Sequence, residues 1–133
     1  MYLYKILEAT TILTLREGFP LMVDATFLKI QQRTLFYQLA HAMNADFLIL
    51  QCEASEPVMS QRIDHRSRQH SDPSEATAEV MRLQMQTFEP LTEEELAHTL
   101  TVNTENDLSL DTILAALKRY SVADSALLKV GPY

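Results

Sequence analysis

Three short apolar runs, separated by stretches with helical periodicity, constrain the fold of this chain more than any other feature of its sequence. The runs are residues 20–27 (PLMVDATF), 46–52 (DFLILQC) and 99–103 (TLTVN). The first two lack the alternation of a half-exposed strand, as is typical of strands covered on both faces. Because strands separated by helices pair in parallel through right-handed crossovers, the sequence predicts an α/β fold, a three-layer parallel sheet flanked by helices.

Helical periodicity precedes and follows the first apolar run. The first predicted helix covers residues 2–17 and ends at Gly18, a residue suited to the left-handed position after a helix. The second covers residues 29–43, and Asn44 is its predicted stop. The apolar positions at helical spacing in the first helix are Tyr2, Ile6, Ala9 and Leu13.

Capping residues mark the remaining helices. Residues 54–70 form a predicted polar helix with Ser55 as its cap. Asp72 and Thr92 each precede a glutamate by three residues, the spacing of a capping box at a helix start. Ser109 opens the last predicted helix, which has an apolar inward face.

The composition indicates one domain without disulfides. The chain has 133 residues, of which 47% are hydrophobic, enough for one modest core. Its net charge of -7 and pI near 5.0 argue against broad non-specific binding to nucleic acid or to an acidic membrane. Cys52 is the lone cysteine, so there is no disulfide framework. No signal-peptide pattern or membrane-length apolar stretch is present, and we expect a cytoplasmic protein.

Polar residues stand where the predicted strands end. Asp24, Cys52 and Asn103 all fall at carboxyl ends, and ligands bind at that edge of a parallel α/β sheet. Thr26 follows Asp24 by two residues. The pair has a second interpretation as a simple helix cap after a strand.

The order of these motifs resembles a known family. The segments VDATFL, FLILQC, EPLTEEE and TLTVNT, with an arginine-bearing helix after each of the first two, resemble the C-terminal part of predicted P-loop kinases related to polynucleotide kinase and zeta toxin. They are most similar to the ATP-binding half of bacterial proteins that join an aminoglycoside-phosphotransferase-like domain to a P-loop kinase domain. The resemblance covers residues 2–119 and implies an ATP- and Mg²⁺-dependent phosphotransferase with an unknown acceptor.

The resemblance implies roles for individual residues in phosphoryl transfer. Asp24 would lie near the phosphates and orient Mg²⁺ through a water, while Arg62 and Arg66 would clamp the transferred group from a lid. Phosphoryl transfer needs such positioning and charge neutralisation more than it needs a nucleophile. Arg62 and Arg66 are four residues apart, so both can face one anion, whereas Arg68 joins them only if the helix frays. The sequence DHRSR around them also fits a solvated, charge-mixed helix face.

Further binding roles follow from the same resemblance. Thr26, Arg68 and Asn103 would contact the nucleotide, and Arg33, in the helix after the Asp24 strand, would bind a substrate anion. In this interpretation residues 1–119 form the kinase-like domain, with a lid-like helical segment at 55–97.

The phosphate-binding loop that gives these kinases their name has no counterpart in the sequence. It requires Gly-x-x-x-x-Gly-Lys followed by Ser or Thr, and the chain has only Gly18 and Gly131. We therefore expect a fragment or degenerate member of the family, inactive alone and completed by a P-loop-bearing partner. The alternative is a non-catalytic interaction or oligomerisation module that keeps the fold.

The missing loop also predicts a gap in the sheet. In the resembled kinases, the P-loop strand lies between the strands that match LMVDATF and FLILQC. Its absence would leave those two strands about two strand spacings apart, with unpaired edges. Three arrangements would close this gap. The two strands pair directly, a strand from a second copy enters the gap, or the segment SALLKV of the C-terminal tail (residues 120–133) folds back into it. We expect a homo-oligomer, because exposed edges and apolar surface need cover.

Overall fold

Helices alternate with parallel strands throughout the part of the chain that the structure describes. The computed structural model describes residues 2–69, 77–105, 110–120 and 125–130. Its helices are α1 (Tyr2–Arg16), α2 (Ile30–Ala42), α3 (Glu56–Gln69), α4 (Ala78–Thr87), α5 (Glu93–Leu96) and α6 (Leu110–Tyr120). Its strands are β1 (Leu21–Asp24), β2 (Asp46–Glu53), β3 (Thr99–Asn103) and β4 (Ser125–Val130). The predicted parallel α/β class is confirmed.

The sheet has the strand order β1-β4-β2-β3, with every pair parallel. One strand therefore separates β1 from β2, and it is the chain's own segment SALLKV, one of the three closures that the sequence left open. In the pairing register, Leu128 stands opposite Val23 on one side and Ile49 on the other. Because β4 pairs along both edges, the slot between β1 and β2 is filled without a strand from a second copy.

Most of the predicted helix boundaries agree with the structure. Gly18 has φ of 77° and Asn44 has φ of 54°, so both occupy the left-handed region after a helix. Thr92 and Glu95 form the predicted capping box of α5. Helix α4 begins one residue after Thr77, whose hydroxyl accepts a hydrogen bond from the Val80 amide. The predicted caps at Asp72 and Ser109 lie outside the described residues.

The main core lies between the sheet and the first two helices. It is built on Val23, Phe27, Phe36 and Ile49, which are buried. Phe27 packs edge-on against the Phe36 ring, with the ring centroids 5.2 Å apart. This cluster fixes the turn after β1 against α2, so it also fixes the carboxyl end of β1.

The face of helix α1 that contacts this core is not the one that carries the apolar residues predicted from their helical spacing. Tyr4 and Leu7 pack against the core, and Thr11 is buried. The residues that marked the helix in the sequence lie on its exposed side instead, with Tyr2 80% and Leu13 64% exposed. The helix is apolar on several sides, so spacing alone did not identify the packed face.

A second, smaller cluster joins α3 to α4. Met59 and Ile63 of α3 and Met81 of α4 are buried together, with Ala54 beside them. This contact holds the two helices as a unit beyond the carboxyl end of β2. None of the helices within the described ranges is long and apolar enough to cross a membrane.

Candidate functional site

The carboxyl ends of β2 and β3 are tied to each other by Thr104. Glu53 and Asn103 are paired in the register of the two strands. The Thr104 amide donates to the Glu53 carbonyl at 2.8 Å, and its hydroxyl donates to the same oxygen at 3.0 Å. The Asn103 side-chain oxygen then accepts a hydrogen bond from the Glu105 amide at 2.9 Å. This local network gives the loop after β3 a defined shape.

Glu105 links that loop to the start of α3. Its carboxylate accepts a hydrogen bond from the Ser55 amide, one residue before the helix begins. Hydrogen bonds from the Ser55 side chain and backbone lower the pKa of Glu105 from its ordinary value. The carboxylate therefore caps the helix from a distant part of the chain. Ser55, the predicted cap, directly precedes the first helical residue, and its own amide is the group that Glu105 binds.

A cavity of about 490 Å³ opens between these strand ends and the helices beyond them. Its size falls within the usual range for small-molecule sites. Met59, Met85, Phe88 and Cys52 supply apolar surface. Its described lining consists of Gln51, Cys52, Glu53, Ala54, Ser55, Met59, Met85, Phe88, Asn103 and Glu105. Since two of these side chains are carboxylates, the cavity favours neutral or cationic groups over phosphates.

Arg62 brings α3 to the same edge of the sheet. Its guanidinium donates to the Thr104 hydroxyl at 2.8 Å and to the Thr104 carbonyl at 2.5 Å. Arg66 lies one helical turn further on and is half-buried, and Arg68 is exposed. None of these three arginines is among the described residues that line the cavity. The two hydrogen bonds to Thr104 join Arg62 to the loop after β3.

Asp24 lies at the same edge but on the far side of β4. It is exposed at the end of β1, and both Asp24 and Leu50 stand opposite Lys129 in the register. Two strand spacings, about 10 Å, therefore separate Asp24 from β2. The Thr26 hydroxyl is 3.5 Å from the Tyr4 hydroxyl, so it faces α1. No group of three potential metal ligands occurs within the described ranges.

Arg33 is a buried residue whose side chain bonds parts of the fold to one another. It is buried, and its guanidinium forms two hydrogen bonds with the Glu95 carboxylate, at 2.6 and 3.0 Å. It also donates to the carbonyls of Phe27 at 3.0 Å and Pro90 at 3.2 Å. Although burial opposes ionisation of Glu95, hydrogen bonds from Arg33 and from the Thr92 backbone hold its pKa below the ordinary value. Binding of a substrate anion by Arg33, as predicted, would require this ion pair to break.

Sequence reasoning missed three residues that organise the site, and one further carboxylate. Glu53, Thr104 and Glu105 were not predicted to take part, although each lies at or directly after the end of a predicted strand. Glu89 was also missed. Its carboxylate accepts a hydrogen bond from the Ile30 amide at 2.8 Å, which with the Lys29 ammonium lowers its pKa. The rule that ligand sites lie at strand carboxyl ends points to the first three.

Comparison with known proteins identifies one family. A family model described as an AAA domain, which represents P-loop NTPase-like kinases, matches residues 2–91, more than half of the chain. The matched segment runs from α1 through α4 and ends before α5. No curated protein and no solved structure gave a significant match.

Proposed function

Because this chain belongs to the AAA domain family of P-loop NTPase-like kinases, we propose that it is a nucleotide-dependent phosphotransferase module whose P-loop is supplied from elsewhere. Proteins of this P-loop class generally use ATP and Mg²⁺. The observation that carries the proposal is the cavity at the carboxyl ends of β2 and β3, where α/β folds bind ligands. It lies beside Arg62, an arginine of the predicted lid.

The cavity suits the nucleoside end of ATP. Phe88 and the methionines Met59 and Met85 offer apolar surface for a nucleobase, while Asn103 and Glu53 offer hydrogen-bonding groups for the ribose or the exocyclic amine. The carboxylates of Glu53 and Glu105 repel phosphates from the interior. They therefore favour an orientation with the base inside and the phosphates outside, toward α3.

The described residues do not complete a site for the triphosphate and Mg²⁺. Within the described ranges no three metal-ligating side chains converge, and the sequence has no glycine-rich loop. We propose that Asp24 orients the metal through a water once the loop is supplied, with Thr26 nearby. Arg62, Arg66 and Arg68 then neutralise phosphate charge from the lid. On this view the chain alone does not transfer phosphate.

The partner in this proposal is either a P-loop-bearing chain or a second copy. The exposed side of α1 supports an oligomer, because Tyr2, Ile6 and Leu13 form apolar surface without cover from the described residues. We also propose the closer relation to polynucleotide kinase and zeta toxin, and helices on both faces of the sheet. The phosphate acceptor is an open part of this proposal.

A non-catalytic interaction module is the second candidate, and the same exposed side of α1 favours it. The two functions differ in what happens at the carboxyl edge of the sheet. A phosphotransferase module retains a nucleotide preference there even when its loop is absent. An interaction module binds through α1 and has no such preference.

Isothermal titration with Mg-ATP tests the proposal. We expect weak binding, with Kd on the order of 0.1 to 1 mM, and no ATP hydrolysis, because most phosphate contacts in this class come from the loop. Asn103→Ala should weaken binding about fivefold, and Gln38→Ala, on the exposed side of α2, should leave it unchanged. Sub-micromolar affinity for the chain alone would overturn the proposed dependence on an external loop.

A further inference from the structure

A second cavity, of about 310 Å³, lies between α2 and α5 and shares no described lining residue with the first. One wall is a single face of α2, whose contributing residues recur at spacings of three and four. These are Ile30, Arg33, Thr34, Tyr37 and Gln38. Phe47 and Ile49, on one face of β2, form the floor, and Glu94 and His98 lie across from α2. The phosphotransferase proposal does not use this cavity.

The ring-bearing side of the cavity is built from three side chains, of which Tyr37 contacts the other two. The Tyr37 and Phe47 rings are 5.4 Å apart at 79°, and the Tyr37 and His98 rings are 5.9 Å apart at 38°. Ile49 beneath them is fully buried. The rings therefore offer contact surface to a planar or apolar group. Tyrosine and phenylalanine rings also attract cations that approach their faces.

The charges around the cavity favour a cation. Arg33 lines it, but its charge is balanced by the Glu95 carboxylate through the two-point ion pair. The Glu94 side chain is exposed at the rim and has no ion-pair partner within the described ranges. Glu94 is therefore the charged residue of the described lining that lacks an ion-pair partner within the described ranges, in a chain whose net charge is -7. Both the Glu94 carboxylate and the net negative charge of the chain therefore repel an anionic ligand.

We propose that this second cavity binds a small organic cation, an ammonium or amidinium group carried on a planar apolar body. The body packs on the rings, and the cationic head lies at the rim near Glu94. Thr34 and Gln38, which are exposed beside it, supply further hydrogen-bonding groups. The volume is sufficient for a single aromatic ring with its charged substituent.

Nuclear magnetic resonance titration of the ¹⁵N-labelled chain with benzamidinium tests the proposal. Saturable shifts are expected at the amides of Thr34, Gln38 and His98. Benzamide and benzoate provide the same ring with no charge and with a negative charge. At constant ionic strength we expect benzamide to bind about threefold more weakly or worse, and benzoate to cause no saturable shift. Equal binding of benzamidinium and benzamide would overturn the proposal.

Matched variants test the site itself. Glu94→Gln should weaken benzamidinium binding about fivefold, whereas Glu93→Gln removes the same charge from an adjacent exposed position outside the lining and should leave it unchanged. Thr34→Phe, at an exposed position on the rim, should fill the opening and abolish the shifts while the rest of the spectrum is retained. Equal weakening by both glutamate variants, or undiminished binding to Thr34→Phe, would contradict the proposed location.

Discussion

The Arg33 guanidinium and the Glu95 carboxylate form a two-point ion pair that ties α2 to α5 across 62 residues of sequence. The Arg33 side chain is fully buried and the Glu95 side chain is 15% exposed. Glu95 also belongs to the capping box of α5, so one carboxylate fixes both the helix start and the tie to α2. The pair therefore anchors the C-terminal end of the helical segment that follows β2.

We predict that Arg33→Met destabilises the protein by about 3 kcal/mol, because it leaves a half-buried carboxylate and two carbonyls without their donor. Arg82→Met is the matched control. Arg82 pairs with Glu56 at 3.8 Å, and the two side chains are 63% and 55% exposed, so its loss should cost less than about 0.5 kcal/mol. Urea unfolding of both variants measures the difference. Equal losses of unfolding free energy in the two variants would show that the buried ion pair of Arg33 stabilises the fold no more than the exposed pair of Arg82 does.

The same pair predicts an acid dependence of stability. The folded-state pKa of Glu95 lies below its ordinary value of 4.5. As the pH falls, the unfolded chain therefore takes up the proton first. The stabilisation is complete above about pH 4.5 and is lost as the pH falls below it through the folded-state pKa. We expect unfolding free energies between pH 6 and pH 3 to fall less steeply for Glu95→Gln than for the parent. Identical slopes would contradict a stabilising charge on Glu95.

The arginines of α3 should provide a weak anion site. We predict salt-sensitive binding of pyrophosphate, with Kd on the order of 1 mM, that weakens about tenfold in Arg62→Ala/Arg66→Ala. Arg82→Ala removes an exposed arginine from α4 and is the control. Calorimetric titration at two salt concentrations measures the effect. If the double variant bound pyrophosphate as well as the parent does, the predicted anion site would be refuted.

The exposed side of α1 predicts self-association. Ile6→Glu/Leu13→Glu places two charges on that side and should convert an oligomer into a monomer of 15.2 kDa. Leu83→Glu, at another exposed apolar position, should leave the oligomer intact. Light scattering at micromolar concentration reports the mass. A parent chain that is already a stable monomer would refute this prediction.

The parallel α/β class could be predicted because periodicity and capping are local properties. The capping box of Thr92 and Glu95, and the left-handed stops at Gly18 and Asn44, depend on a few adjacent residues and were predicted correctly. The position of β4 in the sheet could not be predicted from such local properties. Its segment pairs with β1 and β2, which are distant in sequence, so three closures of the slot remained open.

Burial of particular side chains was the least predictable feature. Arg33 was predicted to bind a substrate anion, because nothing within one helical turn indicates that its partner is Glu95. The packed side of α1 was also missed, since Tyr2 and Leu13 have the spacing of a buried stripe, yet Tyr4 and Leu7 pack against the core. In each case a contact distant in sequence determined the outcome.

The most direct measurement of the central claim is a map of where Mg-ATP contacts the ¹⁵N-labelled chain. The claim is that the cavity at the ends of β2 and β3 retains the nucleoside-binding part of a kinase site. It predicts saturable shifts at the amides of Ala54, Asn103 and Glu105, with an affinity weaker than about 0.1 mM. Shifts confined to other parts of the chain, or none at millimolar Mg-ATP, would contradict it.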